Sequence, residues 1–243
     1  MHPGSVLKRG TQGRNVRIAV ISDIHGNLMA LDAVMSDVET QDVDEVWCGG
    51  DIAFGGPWAS ECIARVREAG WTTVKGNTDI WVTGDPQPHT DPEARTLIEE
   101  MARAHAISDD DARWLVNLPL GHSAPGSMLL VHGTPDSPFE GPMPDSPVGD
   151  FAPYEGRASL VLYGHVHRAF VRKLSDGTIV CNTGSVGMPS DGADACYVLL
   201  DMNGASWMVR HRRVPFDRRA VLAQLNRCPE PLRSWALEKF EAP

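Results

Sequence analysis

The chain predicts an α/β fold, and three observations carry the prediction. Short apolar runs alternate with helical-period segments through the first third, the pattern of strands joined by crossover helices in a parallel sheet. The last third alternates apolar and polar residues between tight-turn signals, as antiparallel hairpins do. Asp, Asn and His residues fall at the downstream ends of five apolar runs, along the sheet edge where open α/β folds bind ligands.

The first strand is read from Val16 to Ile21. Leu28, Leu31, Val34, Met35 and Val38 then recur at helical spacing, which predicts a helix from Asn27 to about Val38. The cycle repeats with a strand from Val46 to Cys48, a helix from Trp58 to Glu68 and a strand from Thr72 to Val74. Residues 80 to 127 read as a helical insertion. It opens on the turn-rich Gly84-Asp85-Pro86-Gln87-Pro88 and continues as helices from Pro92 to His105 and from Asp109 to Asn117. Ser108 is the expected N-cap of the second helix, and Asp109, Asp110 and Asp111 fill its first turn, where carboxylates meet the positive end of the dipole. That acidic run is therefore read as capping and not as a metal site.

A strand is expected from Met128 to Val131. Residues 134 to 157 hold six prolines among Gly and Asp, too many breakers for a helix or central strand, and read as a loop or substrate lid. Strands follow at Leu160 to Tyr163, Ala169 to Leu174, Thr178 to Cys181, Ala195 to Leu200 and Ser206 to Val214, with a break at Asn203-Gly204. The late hairpins are expected to extend a second sheet, and helices from Phe216 to Leu225 and Leu232 to Phe240 close the chain.

With 243 residues and 42% apolar composition, residues 16 to 243 are expected to form one domain. Residues 1 to 15 are Gly-rich and basic, without an apolar segment, and are read as a flexible tail, not a signal peptide or anchor. No apolar stretch reaches the roughly 20 residues of a membrane span. The five cysteines are odd in number and scattered, which argues against a disulfide framework and favours reduced thiols in the cytoplasm. Cys48 is read as a buried filler. A net charge of -10 disfavours tracking of long nucleic acid, whose binding rests on clustered Lys and Arg.

The chemistry sits in Asp23-Ile24-His25, Gly50-Asp51, Gly76-Asn77-Thr78-Asp79, His132-Gly133 and Gly164-His165-Val166-His167. If these segments are extended, residues two apart project alike, so Asp23 pairs with His25 and His165 with His167. The adjacent glycines leave room where strand ends must approach closely. Carboxylate, amide oxygen and imidazole together suit divalent transition metals, manganese foremost, with iron, zinc, cobalt or nickel as alternatives. Two such ions about 4 Å apart lower the pKa of a bridging water and clamp a phosphoryl oxygen, which is the chemistry of phosphoryl hydrolysis. His2, His89, His105, His122 and His211 lack this context.

The five motifs, in this order, resemble the calcineurin-like metallophosphoesterase superfamily from about Val16 to Gly187, in its smaller prokaryotic phosphodiesterase-type branch. The resemblance implies a four-layer α-β-β-α sandwich of two mixed sheets, with the metal site at the carboxyl ends of the strands. It implies one metal on Asp23, His25, Asp51 and His167 and a second on Asp51, Asn77, His132 and His165. The residues expected to act on the substrate are Asp51, Asn77, His132, Thr78 and Asp79. Asn182-Thr183-Gly184-Ser185 resembles the family's Asn-Pro-Gly-Ser turn, with Thr183 in place of proline.

One departure concerns the third motif, where the family commonly places histidine after the asparagine and this chain places Thr78. A threonine hydroxyl donates a hydrogen bond but is no general acid at neutral pH, a role worth roughly 10² to 10⁴-fold. Diesters and anhydrides, whose leaving groups need less protonation, are therefore expected over simple monoesters, and the expected substrate is a small phosphate compound such as a nucleotide. Asp79 is expected to fix Thr78 or a water. The rival readings are a catalytically weak or inactive scaffold that binds proteins, and a nuclease. Phe54, Trp58, Trp81 and the 134 to 157 loop are nominated as a wall for a flat group.

Overall fold

The first strand, β1 (Val16–Ile21), lies at the middle of a five-stranded sheet and is buried from Ile18 to Ile21, with only its first two residues partly exposed. It is followed by α1 (Leu28–Glu39), β2 (Glu45–Cys48), α2 (Ala59–Ala69), β3 (Thr72–Thr73), α3 (Asn77–Trp81), α4 (Pro92–His105), α5 (Asp109–Val116), β4 (Gly121–Ala124) and β5 (Met128–Val131). A 3-10 helix (Val148–Tyr154) precedes β6 (Leu160–Tyr163), β7 (Phe170–Lys173), β8 (Ile179–Asn182), β9 (Ala195–Asn203), β10 (Ser206–Val214), α6 (Arg218–Leu225) and α7 (Leu232–Glu241). This computed structural model describes residues 15–85, 91–203 and 206–241. The expected tail, apart from Asn15, and parts of the turns at 84–88 and 203–204 lie outside the described residues.

The strands form two mixed sheets of five, in the orders β10-β9-β1-β2-β3 and β4-β5-β6-β8-β7. Helices α1, α2 and α4 to α7 pack on the outer face of the first sheet around Leu31, Ile63, Met101, Leu115 and Phe240. Ile18, Val20, Leu130, Leu160, Leu162 and Leu200 fill the space between the sheets. Phe151 and Tyr154, from the 3-10 helix, cover the outer face of the second sheet against Val161, Tyr163 and Val180.

Local signals account for most helix ends. Asn27 accepts the Ala30 N–H at 3.1 Å, Asp91 accepts those of Glu93 and Ala94, and Ser108 accepts that of Asp111. Pro92 opens α4 at a position where a missing N–H costs nothing.

Four expectations are corrected. The β9–β10 hairpin extends the first sheet, not the second: β9 pairs antiparallel with β1, Val16 opposite Met202. Alternation of apolar residues marks a strand but carries no information on its sheet. The insertion at 80 to 127 ends in β4, an edge strand paired with β5 whose exposed, polar Gly-His-Ser-Ala sequence has no strand signature. Asn77-Thr78-Asp79 opens the helix α3 and does not end a strand. Residues 148–154 of the proline-rich segment, expected to hold no helix, form a 3-10 helix that contains Pro153 and is anchored by buried Phe151 and Tyr154.

Asp37 on α1 fastens that helix to the sheet. Its carboxylate accepts Tyr197 Oη at 2.6 Å, Arg212 Nε at 2.6 Å and Arg212 Nη2 at 2.7 Å. The Arg212 hydrogen bonds hold the carboxyl below its usual range. A depressed folded-state pKa gives stability that is present above the unfolded carboxyl pKa, about 3.9, and is lost as pH falls through the folded value. Asp37→Ala is expected to cost about 1 kcal/mol in urea unfolding at pH 7, since solvent screens part of the pair. The deficit should shrink below about pH 3.5.

Candidate metal centre

All seven predicted donors come together where strand ends of the two sheets meet. The turn after β1 brings Asp23 and His25, the turn after β2 brings Asp51, and the first turn of α3 brings Asn77. His132 directly follows β5, and His165 and His167 follow β6. The turns are stitched by main-chain bonds: Asp23 N to Gly50 O at 3.0 Å, His25 N to Asp51 O at 2.9 Å, and Gly164 N to His132 O at 2.9 Å.

These donors do not sit on extended backbone, as alternation along a strand would require. Asp23, His25, Asp51, His165 and His167 have φ of 57°, 49°, 55°, 67° and 57°, five of the eight positive-φ non-glycine residues among those described. Asp and His tolerate this left-handed region better than most side chains. Each such residue stores about 1 to 3 kcal/mol, and such outliers gather at functional sites. The consequence reaches the pairing: His165 and His167, two apart in sequence, serve different neighbours.

One group holds Asp23, His25, Asp51 and His167, whose ligand atoms all lie within 4.8 Å of one another. Within it, His167 Nε2 is 3.2 Å from Asp23 Oδ1, and His25 Nε2 is 3.6 Å from Asp51 Oδ2. The other gathers on Asn77 Oδ1, which lies 3.0 Å from both His132 Nε2 and His165 Nδ1. Asp51 belongs to both, because the Oδ2 that faces His25 is also 3.3 Å from His132 Nε2. Its Oδ1 accepts the Thr78 N–H at 2.8 Å.

The surroundings fit cations. His25, His132 and His167 each set Nδ1 2.8 Å from a main-chain carbonyl, of Phe54, Gly49 and Met188 respectively. A carbonyl only accepts, so Nδ1 carries the proton and Nε2 points inward as a lone pair; this assigns the tautomer from the network. Such carbonyl partners are the usual orienters of metal-binding imidazoles. Two of these lone pairs, on His25 and His167, then face each other at 3.0 Å beside buried carboxylates. With both Nδ1 protons committed, that contact repels unless positive charge lies against it. A divalent cation, drawn by Asp23 and Asp51, satisfies it.

Burial would raise the Asp51 carboxyl, but His132, His25 and the Thr78 N–H hold it well below the usual range. Burial would lower His132, and Asp51 pushes it up instead. Burial takes His165 down to about 4, so its ring is neutral and able to ligate.

Asp79 holds main-chain N–H groups and not the Thr78 hydroxyl. It accepts the N–H groups of Asp51, Ile52 and Gly76 at 2.8 to 2.9 Å and has no exposed surface. It makes no bond to the Thr78 hydroxyl, and it positions the turn that carries Asp51. Burial and the neighbouring Asp51 charge push its carboxyl up to about 6, against the pull of those N–H groups. The Thr78 hydroxyl is buried and has no hydrogen-bond partner.

The turn after β8 ties the halves together. Ser185 Oγ donates to Asp23 O at 2.8 Å, Gly187 N donates to the same oxygen at 2.9 Å, and Asn182 Nδ2 donates to Gly164 O. The nominated aromatic wall is not where it was expected. Phe54 is buried beneath the site, and the cleft over the donors is lined by Met188, Pro189, Trp235 and Lys239. Trp235 and Lys239 lie more than 150 residues downstream of Asp51, and on an amphipathic helix they read as packing and solvated charge. His105, His122 and His211 are structural: His105 Nε2 accepts the Gly55 N–H at 3.0 Å, His122 packs edge-on against Trp47, and His211 Nε2 donates to Asn182 O at 2.7 Å. All five cysteines are free, and burial pushes the Cys48 thiol up, as befits a filler.

Among the described residues, no helix is long and apolar enough to cross a membrane. The family model described as Calcineurin-like phosphoesterase superfamily domain matches residues 16–205. The chain is 30% identical over 236 residues to the uncharacterized protein MJ0912 of Methanocaldococcus jannaschii, covering 88% of this chain and 94% of that one. Its fold matches the metallophosphoesterase of Sphaerobacter thermophilus with a TM-score of 0.71 at 27% identity, over 93% of this chain and 98% of the other. It matches the hypothetical protein PH1004 of Pyrococcus horikoshii with a TM-score of 0.72 at 19% identity, over 90% and 96% of the two chains. With this extent of match, and with Asp and His donors gathered around space for a cation, the chain belongs to the calcineurin-like phosphoesterase superfamily and is a metal-dependent phosphoesterase.

Proposed function

We propose that this protein is a two-metal hydrolase of phosphodiester or phosphoanhydride bonds in small molecules, nucleotides foremost, with manganese as the preferred metal, and that residues 16–243 act as one domain in the cytoplasm. The observation that carries it is the position of Asp51 Oδ2, shared between His25 Nε2 at 3.6 Å and His132 Nε2 at 3.3 Å, which links two donor groups through one carboxylate. Asp23, His25, Asp51 and His167 would hold one ion, and Asp51, Asn77, His132 and His165 the other. Bound divalent ions supply Lewis-acid stabilisation of phosphoryl oxygens and acidify water at neutral pH. The core that runs from Ala19 to Phe240 supports the single domain.

The chain's own residues set the rest. Main-chain carbonyls fix the imidazole rings, Asp79 fixes the Asp51 turn, and the unpartnered Thr78 hydroxyl offers one hydrogen bond to an oxygen in the cleft. An unprotonated alkoxide leaves poorly, whereas a phosphate with a second pKa of about 6 does not need an acid. All seven donors are present and oriented, which favours catalysis over an inactive scaffold, and the -10 charge disfavours a nuclease.

The test is Mn²⁺-dependent hydrolysis of bis(p-nitrophenyl) phosphate with metal content measured on the same sample. About two equivalents of metal and metal-dependent turnover are expected; turnover that persists after complete metal removal rejects the reading. Thr78→His should raise kcat for an alkyl phosphate monoester by about tenfold or more and barely affect a p-nitrophenyl ester. Equal changes across leaving groups of different pKa would rule out Thr78 as the limit on leaving-group range.

A further inference from the structure

The cleft over the donors has a volume of about 360 Å³, within the range of small-molecule sites and larger than one phosphoryl group requires. Its far wall comes from α7, near the end of the chain. Trp235 and Lys239 are four residues apart on that helix, so their side chains share a face about 5 to 6 Å apart. Leu232, Ala236 and Phe240 are buried and hold the helix in place.

The indole is braced. Its ring meets Phe54 at 5.7 Å between centroids and 77° between planes, and a Cβ at Gly55 would stand 2.9 Å from Trp235 Cζ3. Gly55 belongs to the loop that follows Asp51, so the loop that carries a metal-site carboxylate also sets the indole. Half-buried and backed on one side, Trp235 is a rigid aromatic surface at the cleft. The Lys239 ammonium is 2.9 Å from Glu238 Oε1, but the two side chains are 47% and 73% exposed, and such a pair is weak enough to yield to a phosphate. On the donor side, the Thr78 hydroxyl lacks a partner although buried, a donor left for whatever fills the cleft.

We propose that α7 is the specificity wall of this site: Trp235 stacks a planar ring and Lys239 pairs with a non-scissile phosphate, so that the preferred substrate is a nucleoside polyphosphate. The inference deepens the phosphoesterase reading and rests on it. In the reaction, water adds to one phosphorus, the bridging P–O bond breaks, its electron pair departs with the leaving phosphate, and a proton of the water is released to solvent.

The test compares kcat and KM for ADP and for bis(p-nitrophenyl) phosphate in the full chain with Mn²⁺, and calorimetric binding of α,β-methylene-ADP. Lys239→Gln should raise KM for ADP about tenfold with kcat within about threefold, and weaken the analogue equally, while the diester, which lacks a second anionic group, shifts less. Trp235→Leu, which preserves apolar packing on Phe54, should weaken the analogue about fivefold or more, and Trp235→Phe should restore most of it. Lys173→Gln, on the exposed face of β7, should match the wild type. Equal effects of Lys239→Gln on both substrates, unchanged analogue affinity in both variants, or turnover of the diester without ADP would overturn the inference alone. Absence of Mn²⁺-dependent diester turnover in the wild type would instead reject the phosphoesterase reading on which it rests.

Discussion

Asp51→Asn should reduce Mn²⁺-dependent hydrolysis of bis(p-nitrophenyl) phosphate by roughly 10³-fold, the scale of losing a central electrostatic contact in an active site. Asparagine keeps the shape and retains an oxygen for the Thr78 N–H, now 2.8 Å from Asp51 Oδ1. What it loses is the negative charge between His25 and His132. Asp51 is the only carboxylate within 4 Å of His132 among the described residues, so the Asn77 side of the centre would be left with neutral donors alone. Metal content should fall below one equivalent while the far-UV spectrum and the melting midpoint in chelator stay near the wild-type values. A variant that keeps two equivalents and full turnover would remove Asp51 from the role assigned to it.

Gly76→Ala should be severely damaging. Gly76 has an ordinary backbone, φ -92° and ψ 169°, so alanine is conformationally acceptable there. The obstacle is space: its Cβ would lie 2.1 Å from Asp51 Oδ1 and 2.4 Å from Asp51 N. Neither atom can yield without breaking the bonds from Thr78 N and to Asp79 that hold the turn. A loss of about 2 to 4 kcal/mol in denaturant unfolding is expected, with kcat/KM down about 100-fold from the displaced carboxylate. Gly70→Ala gives the contrast. Gly70 caps α2 at φ 64° with nothing within 4 Å, so its cost should be about 1 kcal/mol of backbone strain and no change in turnover. If the two variants lose similar stability, steric contact with Asp51 is not what Gly76 avoids.

The sequence made much of this fold legible because local rules governed it. β1, β5, β6 and β10 begin and end at the residues expected. α4 and α5 begin at Asp91-Pro92 and Ser108, because capping chemistry is written in adjacent residues. The donor set was legible because each member follows a strand. Three things were not. The side of the sandwich that receives β9 depends on pairing with β1, some 180 residues away, which no local pattern encodes. The left-handed backbone at five donors leaves no periodic trace, although the glycines beside Asp51, Asn77 and His165 hint at tight turns. Phe54 was nominated for the cleft by its nearness to Asp51 in sequence; it packs under Trp235, which no pattern near the motifs could have brought forward.

The left-handed turns also bear on how such a centre could be transplanted. Copying seven side chains onto another α/β scaffold would reproduce a formula but not a receptacle, since regular strand ends aim neighbouring residues along quite different vectors. The transferable unit is the looped backbone itself, with its serine and asparagine ties and its bare glycine clearances. Engineers who import those short irregular passages whole would carry the coordination geometry with them.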